Sequence, residues 1–162
     1  MSDIQTEYQF ASRSLEDTRR LAEAIAKFAK AGSVIALEGD LGAGKTAFSQ
    51  FFASALGVRD TVNSPTFTLI KEYQGRELPL YHMDVYRVTA NEAGELGLDE
   101  YFYGEGVTLV EWASRLEDLL PDTRLSLYIE YVAGQARTFR IEPFGRPYTG
   151  WCEEMKRMGV IK

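Results

Sequence analysis

In the first third of the chain, the spacing of hydrophobic positions predicts two helices around one buried strand. Leu21, Ile25 and Phe28 recur at helical spacing while charged residues occupy the opposite face, which is the pattern of an amphipathic helix. A run of four apolar residues, Val-Ile-Ala-Leu, then indicates a buried central strand. We expect a helix over 15–31 between Ser14 as its cap and Gly32, a strand over 34–37, and a second helix over 45–56 that ends at Gly57.

In the rest of the chain, the pattern changes to strand-like runs joined by short turns. Two hairpins are indicated, one turning at 74–77 and the other at 133–135. This order of elements predicts an α/β fold, a three-layer domain with a mixed parallel and antiparallel central sheet, rather than a regular doubly wound fold. We expect strands over 67–73, 78–86, 108–112, 125–131 and 137–141, a helix over 114–120 that Pro121 ends, and a last short helix, packed on the sheet edge, from about 148.

Length and composition indicate one ordinary globular domain over residues 1–162, of which 134–162 form a hairpin strand and a basic tail. Hydrophobic residues make up 45% and charged residues 26% of the chain, which excludes wholesale disorder. No apolar run is long enough to span a bilayer and the start lacks the apolar core of a secretory signal, so we expect neither a membrane span nor a signal peptide. The single cysteine, Cys152, cannot form an internal disulfide and is expected to be structural.

The formal net charge of −6 disfavours a protein that binds nucleic acid by itself, because phosphate neutralisation needs a basic surface. The charge is unevenly distributed. From residue 134 onwards the chain has six basic and three acidic residues, a net charge of +3. The preceding part of the chain therefore has a net charge of −9. Two interpretations of this basic tail stay open: a solvated face, or a docking surface for an acidic partner or RNA.

The strongest chemical signal is a phosphate-binding loop between the first predicted strand and the second helix. Residues 39–46 read Gly-Asp-Leu-Gly-Ala-Gly-Lys-Thr and match G-x-x-x-x-G-K-[ST] in full. Glycines allow backbone N–H groups to turn towards phosphate oxygens, Lys45 places a charge on the β- and γ-phosphates, and the Thr46 hydroxyl is a ligand for Mg²⁺. The residues expected to bind the nucleotide are Asp40, Leu41, Gly42, Ala43, Gly44, Lys45, Thr46 and Ala47.

The expected nucleotide is ATP, with Mg²⁺. GTPases recognise guanine through an Asn-Lys-x-Asp segment and carry an Asp-x-x-Gly switch, and neither occurs in this sequence. The motif therefore predicts an ATP site.

Two predicted strands carry further candidate residues. Glu111 follows three β-favouring residues at the carboxyl end of a predicted buried strand, the usual position of an acid that holds Mg²⁺ through water; the alternative is a solvent-facing acid. His82 and Asp84 share one face of another predicted strand. Asp84 is a candidate to orient the attacking water or to complete the metal shell. His82 could contact the neighbourhood of Asp84 or a phosphate, or make only a structural polar contact.

A hydroxyl-rich segment at 63–68 precedes the predicted hairpin. Pro65 holds Ser64 extended, so the segment can be a turn that starts an edge strand. It can also be a nucleotide-sensing segment in which Ser64 and Thr66 become ordered near the γ-phosphate or the metal. The segment alone does not decide between these two interpretations.

Several motifs occur in a fixed order along the chain: the loop at 39–46, Ser64-Pro-Thr-Phe67, His82-Met-Asp-Val-Tyr-Arg87, Glu95-Leu-Gly-Leu-Asp99 and Val110-Glu-Trp112. Over roughly residues 8–132 the chain resembles the TsaE (YjeE) family, the small bacterial ATPases needed to form threonylcarbamoyladenosine at position 37 of tRNA. The resemblance implies a cytoplasmic protein with an ATP–Mg²⁺ site, slow ATPase activity, and action with the TsaB–TsaD pair. It also implies that Lys45 and Thr46 bind phosphate and metal, that Glu111 helps to hold Mg²⁺, and that Asp84 is important for turnover.

The expected function is an ATPase that assists a tRNA-modifying complex, contacting tRNA only through its protein partners, because 162 residues show no second substrate site for the transfer itself. ATP hydrolysis would reset the partner complex. One alternative is a small-molecule kinase that uses the same loop, although no Arg-bearing lid is apparent. Another is a nucleotide-dependent binding module without turnover. The acidic stretch at 95–99 could contact a partner or simply pack as a helix.

Overall fold

The computed structural model describes residues 6–39, 43–63, 70–85 and 90–162. Within these residues the chain forms a mixed sheet between two layers of helices, as the sequence predicts. The strands are β1 (Tyr8–Ser12), β2 (Val34–Glu38), β3 (Ile70–Gln74), β4 (Pro79–Asp84), β5 (Val107–Glu111), β6 (Arg124–Ala133) and β7 (Ala136–Phe144). The helices are α1 (Leu15–Phe28), α2 (Lys45–Ala55), α3 (Ala90–Glu95), α4 (Leu98–Phe102), a 3₁₀ helix at Ala113–Leu119 and α5 (Tyr148–Arg157).

The strands of the described residues form one sheet in the order β1-β7-β6-β2-β5-β4-β3. The four central strands β6, β2, β5 and β4 are parallel, whereas β7, β1 and β3 pair antiparallel at the two sides. The two predicted hairpins are β3–β4 and β6–β7. The carboxyl ends of the parallel strands consequently meet at one edge of the sheet, which is where ligands bind in open α/β sheets.

Alternation along β2 divides the core into two layers. Ile35 and Leu37 pack with the helices α1, α2 and α5 on one face. Val34 and Ala36 pack on the other face with α4 and the segment after β5. Every one of these four side chains is buried, because helices cover both faces of the central strands.

Helix α1 shows how closely local signals set an element. The Ser14 hydroxyl accepts a hydrogen bond from the Asp17 N–H at 3.2 Å, and the Asp17 carboxylate accepts one from the Arg13 N–H at 2.9 Å. This reciprocal arrangement caps the helix as expected. The helix ends at Phe28, three residues before the predicted end, because Ala29 already has an extended backbone, with φ −62° and ψ 137°.

The sequence pattern does not predict three of the observed elements, β1, α3 and α4. Strand β1 pairs with β7 through backbone hydrogen bonds, which leave no signature in the side chains. Helices α3 and α4 have six and five residues, too few to display a helical period. In the acidic stretch at 95–99, Leu98 of α4 is buried, whereas Glu95 at the end of α3 and Asp99 of α4 are exposed, so the stretch combines a packed side chain with solvated ones.

The predicted position of the last helix at the sheet edge is wrong. Helix α5 packs into the main core, where Trp151, Cys152 and Met155 are buried and Trp151 stacks on Phe28 at 5.9 Å between ring centroids. The hydroxyl of Tyr148 accepts a hydrogen bond from the backbone N–H of Val34 at 2.7 Å, at the first residue of β2. Three large apolar side chains on one helix need an apolar face, and the sheet provides it.

The buried Cys152 is a packing residue. Burial, with a smaller contribution from the charge of Glu153, raises the pKa of its thiol to about 12. A thiol that stays protonated at neutral pH is a poor nucleophile.

None of the helices in the described part of the chain has the length and apolar character that a membrane span requires.

Candidate functional site

The candidate phosphate loop connects the carboxyl end of β2 to the first residue of α2. Gly39 passes so close to β6 that a Cβ there would lie 2.7 Å from the Ile129 carbonyl oxygen, which excludes any larger residue. Gly44 caps α2 at φ +113°, a conformation that side-chain-bearing residues rarely adopt. The remaining loop residues predicted to bind the nucleotide, Asp40, Leu41 and Gly42, lie outside the described residues.

Lys45 is held at the centre of this site. It is the first residue of α2 and only 6% exposed. Its Nζ donates a hydrogen bond to the Gly39 carbonyl oxygen and lies 3.9 Å from the centroid of the Trp112 ring. The ammonium group is therefore fixed between the start of the loop and the residue that follows β5. On the next positions of the helix, Thr46 is exposed and Ala47 is half-buried.

The predicted acids lie at neighbouring strand ends. Asp84 is directly opposite Glu111 in the parallel β4–β5 pair, so both carboxylates lie at the same edge of the sheet. Glu111 is 2% exposed, which excludes the alternative of a solvent-facing acid, and Asp84 is half-buried. One carboxylate oxygen of Glu111, Oε2, is hydrogen-bonded to Nε2 of the fully buried His82. The structure thus brings His82, Asp84 and Glu111 together.

Trp112 joins these acids to the phosphate loop. Strand β5 ends at Glu111, one residue before the predicted end, because Trp112 turns to φ +62°. Among the described residues it is the one non-glycine residue at positive φ. This unusual backbone conformation directs the chain away from the sheet, and the indole ring contacts the Lys45 ammonium.

The donor set fits a magnesium ion shared with a phosphate, rather than a cage built from protein alone. The described residues contain no cluster of three or more His, Cys, Asp or Glu side chains suited to hold a metal. Mg²⁺ in phosphate-binding sites is held by one or two protein oxygens together with phosphates and water. The Thr46 hydroxyl and the carboxylate of Glu111 are oxygen donors of that kind.

Arg137 is a site residue that the sequence pattern does not reveal. Its Nε donates to the Ala43 carbonyl oxygen at 2.6 Å, and its Nη1 donates to the carbonyl oxygens of Gly134 and Ala136 at 2.7 and 3.0 Å. The guanidinium also lies over the Tyr131 ring at 4.7 Å. Arg137 therefore ties the phosphate loop to the turn between β6 and β7. This contact gives Arg137 a defined structural role, whereas the two interpretations of the basic tail as a whole stay open.

We expect Arg137→Ala to loosen the phosphate loop. Hydrogen bonds that involve a charged donor contribute about 1.5–3 kcal/mol each, so the variant should lose about 2 kcal/mol of unfolding free energy. Amide hydrogen exchange over residues 43–48 should accelerate by at least about 10-fold. Arg140→Ala is the matched control, because Arg140 lies on the same strand but stacks on Tyr128 at 4.1 Å and is exposed. Equal exchange in the two variants would contradict the role of Arg137.

Glu38 and the predicted nucleotide-sensing residues complete the description of the site. Glu38, at the end of β2, accepts a hydrogen bond from the Ser114 N–H at 2.8 Å and so ties β2 to the segment after β5. Its place directly before the loop was visible in the sequence, but its partner was not. The predicted nucleotide-sensing residues Ser64 and Thr66 lie outside the described residues.

Comparison with known proteins identifies the family. The model of the family "Threonylcarbamoyl adenosine biosynthesis protein TsaE" matches residues 12–139. The chain belongs to the TsaE family. It is 52% identical to the TsaE protein of Bacillus subtilis over 142 residues, 88% of this chain and 89% of the relative. It is 40% identical to that of Treponema pallidum over 131 residues, 80% of this chain and 96% of the relative. Both relatives are named tRNA threonylcarbamoyladenosine biosynthesis proteins.

The fold of this TsaE family member is similar to that of a solved structure. The crystal structure of Bacillus subtilis YdiB superposes with a TM-score of 0.80 and 43% sequence identity, covering 98% of this chain and 99% of YdiB. The mixed sheet and the loop before α2 make the domain P-loop NTPase-like, as the sequence predicts. The likeness covers nearly the whole chain, whereas the family model ends at residue 139.

Proposed function

We propose that this protein is an ATP-binding, Mg²⁺-dependent ATPase that acts in the cytoplasm in the formation of threonylcarbamoyladenosine at position 37 of tRNA. Its membership of the TsaE family supports the role in this modification. The observation that supports ATP chemistry best is the position of Lys45, buried at the start of α2 and directed to the loop by Gly39 and Trp112. A fixed ammonium beside a helix N-terminus is suited to bind the phosphates of a nucleotide.

The strand-end carboxylates supply the remaining chemistry. In hydrolysis, a water oxygen attacks the γ-phosphorus, the bond to the bridging oxygen of ADP breaks, and the water loses a proton. We assign to Asp84, which is opposite Glu111, the orientation of that water and the acceptance of its proton, and to Lys45 the stabilisation of the negative charge that develops on the phosphates. Thr46 and Glu111 would hold Mg²⁺, which when bound neutralises phosphate charge. Ser64 and Thr66 remain candidates for sensing the γ-phosphate.

The partners follow from the resemblance to the family. The chain would act with TsaB and TsaD, and it would meet tRNA only through that complex. Hydrolysis would return the complex to its starting conformation after each round, which requires that the ATP and ADP forms of this protein differ in affinity for the partners. A net charge of −6 is suited to such an indirect role, since direct binding of RNA phosphates needs an excess of basic residues.

Reconstitution of tRNA modification tests the proposal. TsaB, TsaD, tRNA and a preformed threonylcarbamoyl donor are incubated with this protein and either ATP or a non-hydrolysable analogue. We expect several rounds of modification per complex with ATP. With the analogue we expect no more than about one round, because the reset step requires hydrolysis.

Three results of this experiment and its controls would contradict parts of the proposal. Equal multiple turnover with ATP and with the analogue would exclude a reset driven by hydrolysis. Modification that proceeds equally well without the protein would exclude the role itself. Transfer of phosphate from ATP to a metabolite in the absence of TsaB and TsaD would point instead to a small-molecule kinase.

A further inference from the structure

The imidazole of His82 is buried at a position where packing alone does not require a polar ring. Its side chain is 1% exposed. Leu80 on β4 and the partner of this histidine on β5, Leu109, are fully buried, and its partner on β3 is the exposed Lys71. Burial of a polar ring among apolar neighbours lowers stability unless the ring is hydrogen-bonded. The hydrogen bond that compensates it runs from Nε2 to Oε2 of Glu111.

The two ring nitrogens of His82 have unequal surroundings. Nε2 faces the Glu111 carboxylate, whereas Nδ1 is buried and has no hydrogen-bond partner among the described residues. An ionised carboxylate only accepts hydrogen bonds, so Nε2 must carry a proton to pair with it. The geometry therefore makes Nε2 the donor and the Glu111 carboxylate the acceptor of this hydrogen bond.

We propose that His82 is a positioning residue for Glu111 in nucleotide-dependent metal binding. The Nε2–H engages one carboxylate oxygen and restricts rotation of the group, so that the carboxylate presents a constant orientation at the end of β5. Glu111 is too buried for bulk water to do this. The inference rests on the proposed function, in which Glu111 helps to hold the metal, and it adds the residue that orients this carboxylate.

Two amide substitutions distinguish positioning from space filling. In His82→Gln the side-chain amide nitrogen reaches the place of Nε2, whereas in His82→Asn it reaches only the place of Nδ1. Calorimetry measures two affinities. The first is that of Mg²⁺ for the complex of the protein with a non-hydrolysable ATP analogue, and the second is that of the analogue for the protein without Mg²⁺. We expect His82→Gln to stay within about 3-fold of the original chain, and His82→Asn and His82→Leu to weaken Mg²⁺ binding by about 10-fold or more. The metal-free affinity should change little in all three variants.

Nuclear magnetic resonance of the unmodified protein provides an independent readout. His82 is the single histidine of the chain, so its ¹⁵N-labelled ring gives an unambiguous signal. We expect a proton on Nε2, with a downfield Nε2–H resonance that is lost in Glu111→Ala.

These measurements separate failure of the inference from failure of the proposed function. Absence of a proton from Nε2, or a Gln variant no better than the Leu variant, would overturn the positioning role while nucleotide binding stays intact. If the unmodified protein binds neither the ATP analogue nor Mg²⁺ with it, the proposed function fails and the role of His82 in metal binding fails with it. In that case the ring signal would report a purely structural pair.

Discussion

Lys45→Ala should bind ATP at least about 100-fold more weakly than the unmodified protein and should lose hydrolysis. Within the described residues the ammonium is one of the few buried charges, and the contacts from Gly39 and Trp112 hold it in the phosphate loop. Loss of charge-assisted hydrogen bonds to phosphate is worth about 3 kcal/mol, which corresponds to about 100-fold in affinity. Calorimetry with ATP measures the first effect, and phosphate release measures the second.

The control for this experiment is Lys27→Ala. Lys27 is also on a helix, in the last turn of α1, but it is exposed. The Lys27→Ala variant should bind ATP with the affinity of the unmodified protein. Circular dichroism should show that both variants keep their helices, since the substitution favours the helical state. Affinity of Lys45→Ala equal to that of the Lys27 control would disprove the assignment of the phosphate loop.

Glu111→Ala should reduce both stability and metal-dependent hydrolysis. Removal of the carboxylate leaves a buried His82 N–H without an acceptor, which costs about 1–3 kcal/mol of unfolding free energy. Hydrolysis should fall by about 100-fold, because a contact to the metal–phosphate centre is lost. Affinity for the nucleotide without Mg²⁺ should remain, since Glu111 lies at a strand end and outside the phosphate loop.

A second substitution separates the two effects at this position. Glu111→Gln keeps an oxygen that accepts the His82 hydrogen bond but removes the negative charge. We expect it to recover most of the lost stability and little of the hydrolysis. Glu130→Ala, which removes an exposed carboxylate from β6, controls for the loss of a charge. An unchanged Mg²⁺ titration in Glu111→Ala would exclude this residue from the metal site.

The predicted elements hold where the side chains of one segment carry the signal. The periodicity of α1 and its Ser14 cap, the apolar run of β2 and the turns of both hairpins are local features, and each appears close to its expected place. The failures have a common cause. Edge strand β1 is stabilised by backbone pairing with β7, and α5 finds its place only through the apolar face of a sheet that distant segments build.

The same division applies to the candidate site. The amino-acid sequence by itself determined the phosphate-binding motif at 39–46, since glycine, lysine and threonine at fixed spacing define it locally. It also marked Glu111 as a strand-end acid and Asp84 as a candidate on one face of another strand. Only the tertiary structure decided their partners. Arg137 contacts Ala43 across 94 positions and His82 pairs with Glu111 across 29. Contacts of that range depend on the order of strands in the sheet. Backbone hydrogen bonds between strands set that order, and the side-chain pattern of a single segment does not predict it.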